Sequence, residues 1–359
     1  MDKKETLITF VVPVYRVSDE VLRQCVNSIL SQHNGNYEII LIDDESPDNA
    51  GKVCDELALN NSKINVVHQK NQGVSVARNA GIKLAHGRWV AFVDADDWIE
   101  SSFIDEFMSI AQKHDDADII ISSCYVNYSH AQVLNPFFKD DKIVAVGSEK
   151  DRIILGFLCP NINSDNVGTA DVGSPWAKLY RREFLLENNL SFNPELKRMQ
   201  DNVFNLFAVE AAKTVVYENR PLYHYRKSTS SGFSRYMPHI VDYYEKVFMI
   251  TTDFISKYHK PKEFMEALNV KIIKSVYVYC KMNFFHKDND ISLKARLKNL
   301  RKCLAKDIYT DAINNINTKW LCSNERIWYV MLKYKLYLGV FCVYKLKDIL
   351  YNLTGKGIK

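Results

Sequence analysis

The chain has 359 residues, 47% hydrophobic and 25% charged, with a formal net charge of +4. This composition excludes disordered and fibrous chains and suffices for one large core or two smaller ones. The charge is unevenly spread: residues 1–264 sum to −7 and residues 265–359 to +11.

Eight cysteines, at 25, 54, 124, 159, 280, 303, 322 and 342, form no C-x-x-C pair and show no metal-ligand spacing. Most sit in apolar periodic stretches, so they read as small core hydrophobes of a reduced, cytoplasmic compartment. The start "MDKKETLITFVVPVYR" lacks a small-residue cleavage site after its short apolar run. It reads as a first strand and not as a signal peptide.

Strands and helices alternate through the first hundred residues. "TLITFVVPV" (6–14) is strand-like, and a helical repeat of Val21, Leu22, Cys25, Val26, Ile29 and Leu30 follows Ser18 as cap. "YEIILID" (37–43) is a second strand, then Ser46 as cap with Pro47 at a first helical position; "INVVH" (64–68) is a third. "VSVARNAGIKLAH" is a helix closed by Gly87, and "RWVAFVD" (88–94) is a fourth strand. Such alternation predicts an α/β fold whose mainly parallel sheet carries helices on both faces. Ligands of such sheets bind outside the carboxyl ends of the strands. Here those ends are "PVY", "DDES", "HQKNQG" and "DADD".

Beyond residue 117, "ADIIISSCYVNY" is another strand, and polar loops run to about 173. "PWAKLYRREFLLENN" (175–189) and "QDNVFNLFAVEAAK" (200–213) read as helices, and "TVVYEN" and "LYHYR" as short strands. After residue 238 the pattern is helical and rich in Tyr, Lys and Leu.

The acidic strand end "FVDADDWIE" (92–100) raises an electrostatic question. Asp94 and Asp96 are close enough to share a proton or to be held ionised by a divalent cation. Three carboxylates exceed what capping a helix near Ile99 needs. A metal with positions left for phosphate oxygens accounts for the excess.

In order and spacing, "ITFVVPVYR", "LIDDESPDNA", "NQGVSVARNAG" and "FVDADDW" resemble the nucleotide-sugar-binding half of family 2 glycosyltransferases of the GT-A fold, over roughly residues 6–215. The resemblance implies a Rossmann-like domain over 1–235, with its nucleotide-sugar part at about 6–120 and its acceptor and base part at about 120–235. It also implies a UDP-sugar donor carrying a hexose or N-acetylhexosamine, Mn²⁺ or Mg²⁺ as cofactor, and transfer with inversion.

Residue by residue, Pro13, Val14 and Tyr15 resemble the strand end lining the nucleoside pocket. Asp43 and Asp44 resemble the acidic pair of which one accepts from uracil N3–H, a fit for an acceptor-only carboxylate. Asn71, Gly73, Arg78 and Asn79 resemble the segment whose arginine reaches the nucleotide; an ion pair of Arg78 with Asp44 or Asp94 is the alternative. Asp96, then Asp94, match the metal-binding D-x-D positions, with Asp94 also suited to the ribose. Asp97 reads equally as a helix cap or as a support behind the metal-binding pair, and Glu100 as first-turn helix charge.

The family's general base falls on Asp201 in "MQDNVF", with Phe204 as hydrophobic anchor; Gln200 stands where glutamate is common, which removes one source of pressure on the base. "SPWAKLYRRE" suggests Trp176 as a sugar platform and Lys178 as a phosphate contact, or a core tryptophan and a solvated lysine. "LYHYRKSTSSGFS" (222–234) resembles a segment closing over the diphosphate, with Arg226 on phosphate and His224 either completing the metal sphere or packed.

The region 236–359 reads as basic and helical, with no nucleic-acid reader motif. Within 327–353 the longest uncharged run, Leu336–Tyr344, is nine residues, short of the ~20 needed to span a bilayer. Paired lysines at 333/335 and 345/347 flank it, which suits an interfacial helix on the cytoplasmic face of a membrane or a soluble basic face. With the family resemblance, this suggests a lipid-linked acceptor such as an undecaprenyl-diphosphate-linked glycan of capsule or exopolysaccharide assembly. A catalytically inactive nucleotide-sugar-binding scaffold is the alternative. A nucleotidyltransferase would show a Gly-rich loop after its first strand, and "VPVYRVSD" has none.

Overall fold

The computed structural model describes residues 6–159, 170–227 and 235–354, with side chains to residue 349. Two compact units share these residues: 6–157 with 170–227, and 158–159 with 235–354.

In the first unit β1 (Ile8–Val14), β2 (Tyr37–Asp43), β3 (Ile64–His68) and β4 (Trp89–Phe92) form the parallel half of one sheet. The apolar run of β1, which precedes α1 (Asp19–Leu30), is buried on both faces, with Gly81 of α3 (Val74–Leu84) against Val11 and Phe103 against Phe10, as expected for a central parallel strand. The helix expected from Pro47 begins later, as α2 (Ala50–Leu59): Ser46 and Asp48 instead bond within the preceding turn.

The second half holds β6 (Ala117–Tyr128) and β10 (Thr214–Arg226), which pair in parallel. β10 is one strand with register shifts between Glu218 and Tyr223, where two short strands were expected. Between the halves lies β9 (Lys178–Arg181), antiparallel to both β4 and β6. The helix read over 175–189 is thus a strand followed by the short α6 (Arg182–Glu187). Its apolar spacing fits a helix, but both neighbouring strand edges need a backbone partner, and tertiary pairing overrides local pattern.

Because β9 runs backwards, its first residue, Lys178, lies on the rim where β4 ends. A two-residue strand, β5 (Trp98–Ile99), pairs with Tyr223 and His224 of β10, where the helix start near Ile99 was expected; α4 (Phe103–Lys113) follows. β7 (Ala131–Asn135), β8 (Lys142–Val146) and α5 (Lys150–Leu158) occupy the stretch read as loops.

α7 (Gln200–Ala211) docks through an aromatic cluster. Phe204 stacks on Phe192 at 4.0 Å between ring centroids, and both meet Phe92 edge-on at 6.3 and 5.3 Å. Phe92 lies two residues before Asp94 and Phe204 three after Asp201, so this cluster fixes the spacing of two strand and helix ends that carry carboxylates.

The second unit is helical: α8 (Ile240–Lys257), α9 (Lys262–Tyr279), α10 (Leu293–Leu304), α11 (Asp307–Asn315), α12 (Ser323–Lys333) and α13 (Tyr337–Thr354). The single interfacial helix expected over 327–353 is broken in two, because Lys335 takes the left-handed conformation at φ 55°. No helix among the described residues is long and apolar enough to cross a membrane.

Candidate active site

The β1 and β2 ends are in register, with Val14 beside Asp43, and Asp44 N–H donates to the Val14 carbonyl. Pro13 is half-buried, Val14 buried, and Tyr15 is exposed at the rim. Asp43 accepts from Ser46 N–H through Oδ1 and meets His68 Nδ1 at 2.8 Å through Oδ2. These contacts with Asp43 and Asp55 hold the His68 proton more tightly than usual. Asp44 accepts from the Gln69 amide and from Gln72 and Gly73 N–H, which shapes the 69–73 loop. Gly73 has φ 92°, a conformation open to glycine at little cost. Asn71 ties the same loop to the Asp44 carbonyl. Of about four acceptor sites on each carboxylate, these contacts use two on Asp43 and three on Asp44.

Arg78 is the centre of the site. Its guanidinium is buried, donating through Nη2 to Asp94 Oδ1 at 2.8 Å and through Nη1 to Asp201 Oδ1, with its plane over the Phe192 ring. The alternative of an ion pair with Asp94 is what the structure contains, joined by a second pair with Asp201, 123 residues away, that the sequence pattern did not suggest. Asn79 does not face the site: its amide closes on the Phe192 backbone and holds the ring under Arg78.

Asp201 sits in the first turn of α7, its carboxyl partly accessible. Burial, opposed by Arg78 and assisted by Asp94 and Asp171, raises its pKa. The pressure that a glutamate at position 200 would have supplied is therefore replaced by burial and by two more distant aspartates. Asp171 belongs to a segment stitched to α7: Asn202 donates to Asp171, and Asn205 donates to the Gly173 and Ser174 carbonyls. A Cβ on Gly173 would stand 2.2 Å from Asn202 Nδ2, so any larger residue here must displace the Asn202 amide that bonds Asp171.

Asp96 is exposed, and no side chain among the described residues donates to its carboxylate. Although the side chain reaches solvent, partial desolvation by the surrounding rim, together with the charge of Asp94, pushes it up to about 6. Asp97 is not a helix cap. It is buried, accepting from Tyr223 O–H and Arg226 N–H, and burial with two neighbouring aspartates raises its pKa well above the usual range. Glu100 is a partner of His224 rather than simple helix charge. Arg226 reaches the rim, donating to the Asp96 carbonyl and lying over Trp98.

Three expectations need correction. His224 does not face Asp94 and Asp96: side chains alternate along β10, so with Tyr223 directed to Asp97, His224 points to the other face. There it bonds Glu100 at 2.9 Å between the rings of Trp98 and Tyr125, and burial lowers its pKa. Trp176 is 5% exposed, stacked on Tyr223 and Tyr225, a core residue rather than an open sugar platform. Lys178 is wholly buried and donates to the Val172 and Ser174 carbonyls at 2.9 and 2.7 Å, so it organises the 172–176 turn and does not reach a phosphate. Burial lowers its pKa to about 7. Residues 228–234 of the expected closing segment lie outside the described residues.

Among the described residues no group of three or more His, Cys, Asp or Glu is arranged to hold a metal. What the rim offers is two carboxylates, Asp94 with one oxygen beyond its bond to Arg78 and Asp96 facing solvent. That donor set fits Mn²⁺ or Mg²⁺, which take one or two carboxylates and complete their spheres with substrate phosphates and water. Repulsion between Asp94 and Asp96 is the feature that such a cation would relieve.

The Arg78 guanidinium joins a strand-end aspartate and a helix-start aspartate at the carboxyl rim of a mainly parallel sheet, the edge where such α/β folds bind ligands, and the fold is of the GT-A class. Residues 9–161 match the family described as Glycosyl transferase family 2, and the chain belongs to it. The uncharacterized glycosyltransferase EpsJ of Bacillus subtilis is 28% identical over 333 residues, covering 92% of this chain and 93% of that protein. Glycosyltransferase GlyG of Streptococcus pneumoniae is 31% identical over 231 residues, 63% of this chain and 72% of its own. Among solved structures, S. aureus TarS 1-349 in complex with UDP-GlcNAc has a TM-score of 0.63 at 19% identity, covering 93% and 92% of the two chains, a likeness of fold.

Proposed function

We propose that the protein is an inverting, metal-dependent glycosyltransferase that moves a hexose or N-acetylhexosamine from a UDP-sugar to a sugar hydroxyl of a cell-surface glycan. The observation that carries this reading is Arg78, which holds the D-x-D aspartate and the helix-start aspartate on one buried guanidinium. Inverting transfer needs the acceptor hydroxyl at bond-forming distance from the anomeric carbon, with the departing diphosphate on the opposite face, and in this reading Asp201 serves the hydroxyl and Asp94 the donor side.

In that reading Asp201 accepts the proton of the attacking hydroxyl, and its raised pKa makes it a better base than a solvent-exposed carboxylate. Inversion follows if attack comes from the face opposite the diphosphate. One of Asp43 and Asp44 takes uracil N3–H, and Pro13, Val14, Tyr15, Asn71 and Gly73 shape the nucleoside pocket. Asp96 and Asp94 hold Mn²⁺ or Mg²⁺, which when bound offsets the charge of the departing diphosphate. Arg226, which donates to the Asp96 carbonyl, is the side chain assigned in this reading to the same diphosphate.

TarS, similar to this chain in fold, binds UDP-GlcNAc, and a UDP-linked donor is proposed here by that likeness. The acceptor would be an undecaprenyl-diphosphate-linked glycan in capsule or exopolysaccharide assembly. The transferase occupies about residues 1–235, and the basic helices of 236–359 keep the enzyme on the cytoplasmic face of the membrane.

The test is UDP release from a UDP-sugar panel with Mn²⁺ and membrane extract, with UDP affinity measured separately. Asp201→Asn should lose activity by about 10²–10⁴-fold while binding UDP as wild type does. Full activity in that variant would remove Asp201 from the chemistry. Wild-type protein that binds UDP but turns over no donor would be a scaffold.

A further inference from the structure

In the second unit, Lys294, Leu297, Lys298 and Arg301 follow one another at i, i+3, i+4 and i+7 and so share one face of α10. Facing them is the turn between α12 and α13, and together they line a cavity of about 610 Å³ with Lys335, Leu336, Tyr337, Leu338 and Gly339. Four cations enter this lining and no carboxylate does. None of the four forms an ion pair among the described residues, whereas Lys274 and Lys306 of the same unit hold Glu325 and Glu245 at 2.7 Å.

The turn itself is apolar and exposed. Tyr334, Leu336 and Leu338 are 66%, 53% and 60% accessible, and the left-handed Lys335 places them at the tip between two helices. The clustered cations repel one another, and the neighbouring exposed leucines leave apolar area in water. One environment satisfies both at once.

We propose that this cavity and turn are the membrane-docking site, binding the phosphate headgroups of an anionic lipid surface while Leu336 and Leu338 enter the acyl region. The inference rests on the membrane part of the proposed function and gives it a location. Headgroup phosphates pair with the cations of α10 and with Lys335, and the hydrocarbon boundary takes the turn. A nucleic acid would answer the charges but leave the leucines in water. The absence of carboxylates from the lining removes any internal competitor for phosphate.

The experiment is co-sedimentation of the full chain with phosphatidylcholine vesicles, with and without phosphatidylglycerol. Wild type should bind the anionic vesicles. Each cation near such a surface is worth about fivefold in partition, so Lys294→Glu with Lys298→Glu and Arg301→Glu should lose about a hundredfold or more. Leu336→Ser with Leu338→Ser should abolish the part of binding that survives high salt. These side chains are exposed, and matching thermal unfolding with wild type checks that the variants fold.

Binding by the triple variant equal to wild type would overturn the site while leaving a membrane role elsewhere in the tail. Absence of vesicle binding by wild type would remove both the site and the membrane reading, yet leave glycosyl transfer to soluble acceptors untouched. Loss of vesicle binding on adding inorganic phosphate at low millimolar level, or tighter binding to RNA than to vesicles, would also overturn the lipid assignment. UDP release with a soluble acceptor should stay at the wild-type rate in every variant.

Discussion

Replacing Lys178 with methionine should change how stability depends on pH. The ammonium is wholly buried among carbonyls of the 172–176 turn, and burial brings its pKa from 10.5 to about 7. At 1.36 kcal/mol per tenfold change in proton affinity, this gap corresponds to about 5 kcal/mol. The unfolded lysine keeps its proton to 10.5 and the folded one releases it near 7, so between these values the unfolded state binds more protons. This contribution to stability therefore rises with pH by up to about 1.4 kcal/mol per pH unit, and below 7 it is flat. Cys25, Cys54, Cys124, Cys280 and Cys303 act the other way at alkaline pH, because burial raises their thiols and the unfolded chain loses those protons first. Both proteins keep the cysteines, so the difference between them isolates the lysine. Urea unfolding of wild type and Lys178→Met from pH 6.5 to 9.5 should show the balance moving toward wild type as pH rises. A difference that is constant over this range would show that the folded lysine stays charged and that the argument from burial is wrong.

Arg78→Met leaves Asp201 without the cation that opposes its burial, so the acid limb of the kcat/KM profile should move to higher pH; an unmoved limb would separate Asp201 from the titration that governs rate. Gly173→Ala sets a Cβ 2.2 Å from Asn202 Nδ2 and should cost about 1–3 kcal/mol, read as a lower Tm. Phe92→Ala opens the cluster of Phe192, Phe204 and Tyr180 and should cost about 3–5 kcal/mol in urea unfolding, with activity lost in proportion at low stability.

The parallel half of the sheet is written plainly in the chain. β1, β2, β3 and β4 are short β-branched runs ending in polar residues, and the sheet brings those ends together at one rim. The antiparallel half is harder to read. Trp176, Leu179, Tyr180 and Phe184 have helical spacing, yet two open strand edges claim residues 178–181. Similarly, the motif around His224 gives no sign of which face of β10 each residue takes. That is decided by Tyr223 reaching Asp97, a contact across 126 positions. Lys178 looks like any basic residue after an aromatic, and only the turn that wraps it shows that it is buried. The bond between Arg78 and Asp201 has no local signature at all, although a motif arginine and a motif aspartate were both visible. The three-dimensional link between them was not.

That link also sets a timetable. Arg78 is buried in the part of the chain made early, while one of its two carboxylates is 123 residues further on. At 5–20 residues per second, translation delivers Asp201 on the order of ten seconds after Arg78. During that interval an emerging nucleotide-binding half would hold a guanidinium with a single partner, a state costly to bury and so inclined to stay open. Completion of the sheet by β9, α7 and β10 then does two things together: it closes the core, and it supplies the missing carboxylate. Ribosome-bound chains ending before residue 201 should accordingly resist protease less well than chains that include it, even though the four strands of the parallel half are already synthesised.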